Sequence, residues 1–251
     1  MDINSVIDRL FKDQPKFHYA KPTEDSVAQN TLRRYGFLVE EGPVSWNVPR
    51  RLLEYMAATF KEGQLSLETG AGYTTVLFAA ASKHHWCITP FEREVELIRS
   101  YLQELGLSVA NVTFLIEPSD LALPKLVFAG RIDYAFVDGC HGYPFPALDW
   151  HYIDRHLKIG GIIGFDNTEI RAVANHCRFL EENGEYTLVC SLSFPGTMYG
   201  ANFYRKLCDQ EREWPFQPYN RLITPYHSGS RPSLRHRVVP LAKKLLKFLK
   251  Y

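Results

Sequence analysis

The sequence predicts an α/β protein built on a doubly wound, mostly parallel sheet. Short apolar runs typical of buried strands alternate with segments whose apolar residues recur at helical spacing, and this β-α alternation is typical of parallel sheets. A turn-rich stretch, FPGTMYG, joins the last two strand-like runs and predicts an antiparallel hairpin at one sheet edge. The predicted strands are 65–68, 86–89, 112–117, 133–138, 161–166, 186–193 and 201–207. The predicted helices of this region are 49–61, 73–82, 92–105, 146–157 and 168–182.

The 251 residues suit one globular domain with additions at both ends. Residues 1–45 are polar, contain two helical patterns at 3–12 and 25–36, and are expected to form an N-terminal helical cover. Residues 46–208 hold the alternating pattern and form the central domain. Residues 209–251 are predicted to be a proline- and aromatic-rich extension that ends in a basic amphipathic helix.

Composition limits the classes of protein that fit. No apolar run approaches the roughly 18 residues of a membrane span, and the acidic start has no signal-peptide pattern, so a cytoplasmic protein is expected. The five cysteines are scattered without a C-x-x-C pair, which argues against a zinc site or a disulfide framework. The body of the chain is acidic and shows no basic, aromatic-lined stripe, so no nucleic-acid partner is expected.

The C-terminal sequence HRVVPLAKKLLKFLKY has a two-sided pattern. Arranged as a helix, it places lysines 243, 244, 247 and 250 on one side and apolar residues on the other. Peripheral membrane contact is one interpretation. Docking on the protein's own body or on a second subunit, as in a homodimer, is the other, because so short a helix is marginal alone.

A glycine-containing turn follows the first strand of the alternating pattern. In SLETGAGYTT, Glu68 lies at the strand end, Gly70 and Gly72 lie in the turn, and Thr74 begins a helix. In an open parallel sheet this carboxyl-end turn is where a ligand binds, and glycine lets the backbone approach it closely. The alternative is that the turn needs glycine only for its backbone dihedral angles.

The residues around this turn discriminate between cofactors. A dinucleotide site would have a third glycine where Thr75 stands and an acidic ribose partner where Thr89 stands, and both are missing. Glu68 would also repel a pyrophosphate, whereas a carboxylate is favourable beside an ammonium and a sulfonium. The pattern therefore favours S-adenosylmethionine, with an NAD-dependent oxidoreductase as the rival enzyme class.

From about residue 46 to 208 the sequence resembles the class I S-adenosylmethionine-dependent methyltransferases, whose first motif is an acidic residue followed by G-x-G. The resemblance implies a Rossmann-like, seven-stranded sheet with an antiparallel last strand. It places the ribose contact at Thr89, where the family has an acid, with Glu92 as a substitute. Ser119-Asp120 would form the adenine loop, or else an ordinary turn and helix cap. The implied cofactor contacts are Glu68, Gly70, Gly72, Thr74, Thr89, Glu92, Ser119, Asp120 and Asp138.

Two further strand ends carry oxygen-bearing side chains. Asp138 follows one strand, with His141 in the loop beyond it, and Asp166-Asn167 follows the next strand. Because the carboxyl ends of parallel strands meet at one edge, these side chains are expected to converge. Mg²⁺ prefers such oxygen ligands, so Asp138, Asp166 and Asn167 form a candidate metal site. The alternative is that the acids are helix caps and turn residues.

This arrangement is similar to that of the catechol and caffeoyl-CoA type O-methyltransferases, which bind a divalent metal through an Asp and an Asp-Asn pair and carry a lysine base where this chain has His141. The stretch VDGCHGYPFPALDW also looks like methyltransferase family 24, which acts on sugars and other small molecules. The resemblance implies methyl transfer to a small-molecule or sugar hydroxyl, assisted by Mg²⁺, with His141 and Asp138 as catalytic residues. A metal-independent enzyme with His141 as the base, and a catalytically idle scaffold, remain open.

Overall fold

The computed structural model describes residues 1–20, 42–44, 46–128, 130–194 and 199–210. The helices are α1 (Ile3–Asp13), α2 (Arg50–Thr59), α3 (Tyr73–Ala81), α4 (Glu92–Glu104), α5 (Ser119–Ala122), α6 (Phe145–Asp154) and α7 (Arg171–Asn183). The strands are β1 (His18–Ala20), β2 (Gly42–Val44), β3 (Leu65–Thr69), β4 (His84–Ile88), β5 (Val112–Leu115), β6 (Ile132–Val137), β7 (Leu157–Phe165), β8 (Tyr186–Ser193) and β9 (Gly200–Lys206).

Seven strands form the central sheet in the order β5-β4-β3-β6-β7-β9-β8. The neighbours from β5 to β7 are all parallel, and β9 runs antiparallel to both β7 and β8. The predicted fold class is therefore confirmed, and so is the predicted hairpin. Strands β1 and β2 pair separately as a short antiparallel ribbon, the N-terminal ribbon, which the sequence reasoning did not predict.

Apolar side chains cover both faces of this sheet. Along β6, Tyr134 and Phe136 belong to one core, while Ala135 and Val137 belong to the other, as the alternation of a strand requires. The first core packs against α1 to α4 and the second against α6 and α7. A sheet covered on both faces leaves its strand ends as the accessible edge.

Strand β7 is longer than the sequence predicted. The helix expected to reach residue 157 ends at Asp154, and β7 already begins at Leu157. Leu157 pairs with Ile132, and regular pairing resumes only at Ile162. The intervening residues form a bulge in which Gly160 has a φ of +83°, so the strand start predicted at residue 161 lies inside an irregular strand.

The last helix starts later than predicted. The amide of Thr168 donates to the carbonyl of Gly200 at 2.9 Å, and the amide of Ile170 donates to the carbonyl of Asn167 at 2.9 Å. These bonds form a turn that delays the helix from residue 168 to Arg171. The predicted helix 25–36 and most of the extension 209–251 lie outside the described residues, so the division into three parts stays a prediction. Across the described part of the chain, no helix has the length and apolarity to span a bilayer.

Candidate functional site

The carboxyl ends of three neighbouring strands are in register. The backbone amide of Gly70 donates to the carbonyl of Ile88 at 2.9 Å. In the same way, the amide of Asp138 donates to the carbonyl of Thr69 at 2.9 Å, and the amide of Asp166 to the carbonyl of Val137 at 3.0 Å. The residues that follow β3, β6 and β7 therefore lie at one edge of the sheet. This edge is the position at which open α/β sheets bind ligands.

The glycine turn after β3 packs directly on the exit of β6. Gly70 has a φ of +87°, and a Cβ there would overlap the carbonyl oxygen of Asp138. Gly72 is the N-cap of α3, and its amide donates to Oγ1 of Thr75 at 2.9 Å. Thr74 is buried in the first turn of the same helix. The glycine at position 70 is therefore required both by backbone conformation and by space.

Glu68 is fully buried below this turn. Its Oε1 accepts a hydrogen bond from the hydroxyl of Thr75 and lies 3.0 Å from Nε2 of His85. The imidazole is held in turn through Nδ1, which is 2.8 Å from Oγ of Ser66. Within the described residues, Oε2 of Glu68 has no hydrogen-bond partner. Oε1 of Glu68 is therefore hydrogen-bonded inside the protein, whereas Oε2 remains unpaired.

The end of β4 carries a carboxylate that the sequence reasoning missed. The hydroxyl of Thr89 donates to Oε2 of Glu94 at 3.0 Å, and Nδ1 of His18, in the N-terminal ribbon, lies 2.9 Å from Oε1 of Glu94. Glu94 is buried, whereas Glu92, the acid predicted to substitute at this position, is exposed. The ring of His18 stacks on Trp46 at 5.5 Å.

The predicted adenine loop lies beside a second missed acid. Ser119 is buried at the start of α5, and Asp120 is half-buried. Asp149 of α6 is fully buried; burial raises its pKa to about 6, against a smaller lowering by the Ser119 and Thr69 hydroxyls. Neither oxygen of Asp149 makes a hydrogen bond of normal geometry with the described residues. This acid therefore lies between the end of β3 and the α5 loop.

The structure brings Asp138, His141 and Asp166 together. One ligand atom from each lies within 4.8 Å of the others, and Nε2 of His141 is 3.7 Å from Oδ1 of Asp138. Burial and then the charge of Asp166 raise the pKa of Asp138 well above its usual value. Burial also raises the pKa of Asp166, to about 6. Two carboxyl groups held this close favour a shared proton or a cation.

An outer layer of side chains holds these acids. The hydroxyl of Tyr199 donates to the Asp166 carboxylate. Nδ2 of Asn167 donates to Oε1 of Glu169 at 2.6 Å, and the amide of Gly200 donates to Oε2 of Glu169 at 3.0 Å. Because the amide nitrogen of Asn167 is engaged by Glu169, its Oδ1 is the atom left for another partner. Asn167 adopts a φ of 51°, which asparagine tolerates better than most residues.

His141 has the environment of an uncharged imidazole. Burial lowers its pKa below the ordinary value of 6.5, and the charge of Glu169 opposes that effect only in part. Its side chain remains 25% exposed, so a ligand can reach it. A neutral, reachable imidazole beside a carboxylate has the properties of a general base.

The residues missed by sequence reasoning were missed for different physical reasons. His18 and Tyr199 come from segments distant in sequence, and Glu94 and Asp149 occupy helical positions that look like ordinary amphipathic spacing. Only Glu169 stood near a selected pair, three residues beyond Asp166. Two of the five therefore required tertiary contacts that no local pattern encodes.

The seven-stranded sheet with its antiparallel strand β9, and a ligand edge of carboxylates beside a glycine turn, are typical of the class I S-adenosylmethionine-dependent methyltransferases. Residues 67–168 match the family model for a methyltransferase domain, methyltransferase family 24. This match favours a transferase over the rival class, the nicotinamide oxidoreductases. No curated protein matches the chain in a sequence comparison.

Solved structures agree on the fold. The O-methyltransferase TomG from Streptomyces achromogenes, in complex with S-adenosylmethionine, is 17% identical, covers 83% of this chain and all of its own, and has a TM-score of 0.56. A putative O-methyltransferase from Klebsiella pneumoniae is 16% identical, with 81% and 90% coverage and a TM-score of 0.54. An rRNA methylase from Streptococcus thermophilus is 17% identical, with 66% and 100% coverage and a TM-score of 0.53.

Proposed function

We propose that the protein transfers a methyl group from S-adenosylmethionine to a hydroxyl group of a small molecule or sugar. The observation that carries this proposal is the convergence of Asp138, His141 and Asp166 at the edge where the glycine turn lies. The structural likeness to TomG, an O-methyltransferase of tomaymycin synthesis, supports an oxygen acceptor. Positioning the two reactants could supply about 7–11 kcal/mol of the barrier reduction.

Carboxylates are suited to hold the methyl donor. S-adenosylmethionine supplies an electrophilic methyl group on a positively charged sulfonium. The unpaired oxygen of buried Glu68, and the Asp138–Asp166 pair, which carries one negative charge when it shares one proton, lie at the edge that holds the glycine turn and would stabilise a cation there. Gly70 allows the close approach of backbone that such a ligand requires. Ser119 and Asp120 stay our proposed adenine contacts, and Thr74 a further contact of the turn.

His141 is proposed as the general base. Because burial favours its neutral imidazole, it can take the proton of the acceptor hydroxyl as the oxygen attacks the methyl carbon and the carbon–sulfur bond breaks, with neutral S-adenosylhomocysteine as the leaving group. Asp138, 3.7 Å away, then faces the imidazolium that forms and stabilises its charge. The loop after β6 thus carries both the base and the group that stabilises its protonated form.

The acidic edge also fits a divalent metal. Asp138 and Asp166 offer carboxylate oxygens, and Asn167 offers the Oδ1 that Glu169 leaves available, which matches the ligand preference of Mg²⁺. When bound, Mg²⁺ would act as a Lewis acid that lowers the pKa of an acceptor hydroxyl. Asp138, Asp166 and Asn167 would hold it, with Tyr199 and Glu169 fixing their orientation.

A metal-independent enzyme is the second candidate. Burial, followed by the charge of Asp166, raises the pKa of Asp138, which permits the pair to share one proton. His141 alone would then act as the base, and the pair would serve to position the loops. This candidate uses the same fold and the same donor.

Calorimetry and a methyl-transfer assay test the proposal. We expect S-adenosylhomocysteine to bind and a panel of sugar and phenolic hydroxyls to include an acceptor. His141→Gln should lower kcat by about 10²–10⁴-fold with little change in cofactor affinity. The matched control is His151→Gln, in helix α6, which should retain activity. Tight binding of NAD without binding of S-adenosylhomocysteine would overturn the proposal.

Metal binding has a test that does not depend on turnover. Titration with Mn²⁺, followed by electron paramagnetic resonance, should give a site that Asp166→Asn abolishes. Glu169→Ala should weaken it about 10–100-fold, because the Asn167 amide loses its orienting partner. Glu182→Ala, an exposed acid of α7, is the control. Full activity in EDTA together with no Mn²⁺ binding would favour the metal-independent candidate.

A further inference from the structure

The end of β4 lacks the acid that nucleotide-binding sheets of this type place there. Thr89 occupies that position, and its hydroxyl hydrogen is already given to Glu94. A ribose presents two hydroxyl donors side by side, and a carboxylate is the group that accepts both. If a carboxylate accepts the two ribose hydroxyls in this protein, it must therefore come from a residue other than Thr89.

Glu94 supplies a carboxylate at this point from the first turn of α4. Its two oxygens lie 3.0 Å from Oγ1 of Thr89 and 2.9 Å from Nδ1 of His18. The side chains of His18 and Glu94 are 11% and 9% exposed, so the pair is largely enclosed but retains some accessible surface. Each oxygen has one protein partner and keeps capacity to accept a second hydrogen bond.

His18 connects this carboxylate to the glycine turn. Its Nε2 would be 3.5 Å from a Cβ placed on Gly72, so the imidazole lies against the start of α3. The pair therefore spans the gap between the end of β4 and the glycine turn. The ring of Trp46 stacks on the imidazole. A ligand that lies over the turn and extends toward β4 meets Glu94 beneath the N-terminal ribbon.

We propose that Glu94 binds the ribose hydroxyls of the cofactor and that His18 is a positioning residue that orients it. The inference rests on S-adenosylmethionine being the cofactor. Thr89 and His18 hold the two carboxylate oxygens at fixed places, and the ribose adds one hydrogen bond to each. The N-terminal ribbon thereby becomes part of the cofactor site, although its sequence bears no cofactor motif.

The test compares two ligands by calorimetry: S-adenosylhomocysteine and its 2′,3′-dideoxyribose analogue. The wild-type full chain should bind the first at least ten times more tightly than the second. Glu94→Ala should bind the two equally, because the acceptor of both hydroxyls is gone. Glu96→Ala, an exposed acid of the same helix, is the matched control and should keep the wild-type ratio.

Two milder variants guard against misfolding of Glu94→Ala. Thr89→Val and His18→Gln each remove one of the groups that hold the carboxylate, and each should lower the affinity ratio several-fold while the melting temperature stays near that of the wild type. An unchanged ratio in Glu94→Ala, or a wild type that does not discriminate between the ligands, overturns the inference alone. A wild type that binds neither ligand overturns the cofactor assignment as well.

Discussion

At residue scale, two glycines with left-handed backbone allow the effect of crowding to be isolated. Gly70 and Gly106 have φ values of +87° and +70°, but only a Cβ at Gly70 meets neighbouring atoms, 2.7 Å from the carbonyl carbon of Asp138. Gly106→Ala should cost about 1–2 kcal/mol of unfolding free energy through backbone strain alone. Gly70→Ala should cost clearly more and should weaken binding of S-adenosylhomocysteine, because the exit of β6 must shift.

Urea denaturation of both variants measures this difference. Equal losses of unfolding free energy would show that Asp138 moves aside without cost, contrary to the expectation.

The residues at this contact also show what the sequence could predict. Gly70 and Asp138 were selected separately from strand-end patterns, whereas their mutual contact depends on the pairing of β3 with β6. Glu94 was missed because its spacing is that of any buried helical position.

At the scale of elements, all seven strands of the central sheet were predictable because buried strands read as short apolar runs between turn residues. Their exact limits depended on partners: β5 ends at Leu115 because its neighbour β4 ends at Ile88. The N-terminal ribbon was not predictable, since β1 and β2 are three residues each and are far apart in sequence. A pairing that short has no periodicity to detect.

The packing of α7 against α6 contains a histidine that should make folding sensitive to acid. His176 lies between Trp150 and Phe179, and its Nε2 has no hydrogen-bond partner in the described part of the chain. Burial lowers its pKa to about 3. The unfolded chain titrates near 6.5, so between pH 6.5 and 3 the unfolded state binds one more proton than the folded state.

The unfolding free energy should therefore decrease as the pH is lowered through that window. His176 should account for about 1.4 kcal/mol of this decrease per pH unit. His176→Phe keeps an aromatic ring in the same packing and removes the titrating nitrogen. Urea denaturation from pH 7 to 4.5 should show a shallower loss of unfolding free energy for this variant than for the wild type. Parallel curves would mean that His176 is not the group responsible.

At the scale of the whole molecule, charge is distributed unevenly along the chain. Residues 231–251 contain seven Lys/Arg and no Asp/Glu, although the complete chain has a net charge of only +1. The opposite charges of this segment and of the remainder permit two arrangements. The segment can bind an acidic surface outside the protein, such as an anionic membrane, or the acidic body of its own or a second subunit.

Sedimentation with lipid vesicles distinguishes the two arrangements. If the segment binds membranes, the full chain should sediment with phosphatidylglycerol vesicles but not with phosphatidylcholine vesicles. Replacing lysines 243, 244, 247 and 250 by glutamine should remove about 4 kcal/mol of attraction, at roughly 1 kcal/mol per lysine, which corresponds to a loss of affinity of about a thousandfold. Raising the salt concentration should also weaken binding to the phosphatidylglycerol vesicles. The other arrangement predicts that the full chain stays in solution with both kinds of vesicle and that its sedimentation coefficient changes when the lysines are replaced. That result would place the basic segment on protein, where its charge holds subunits together or covers the body of the enzyme.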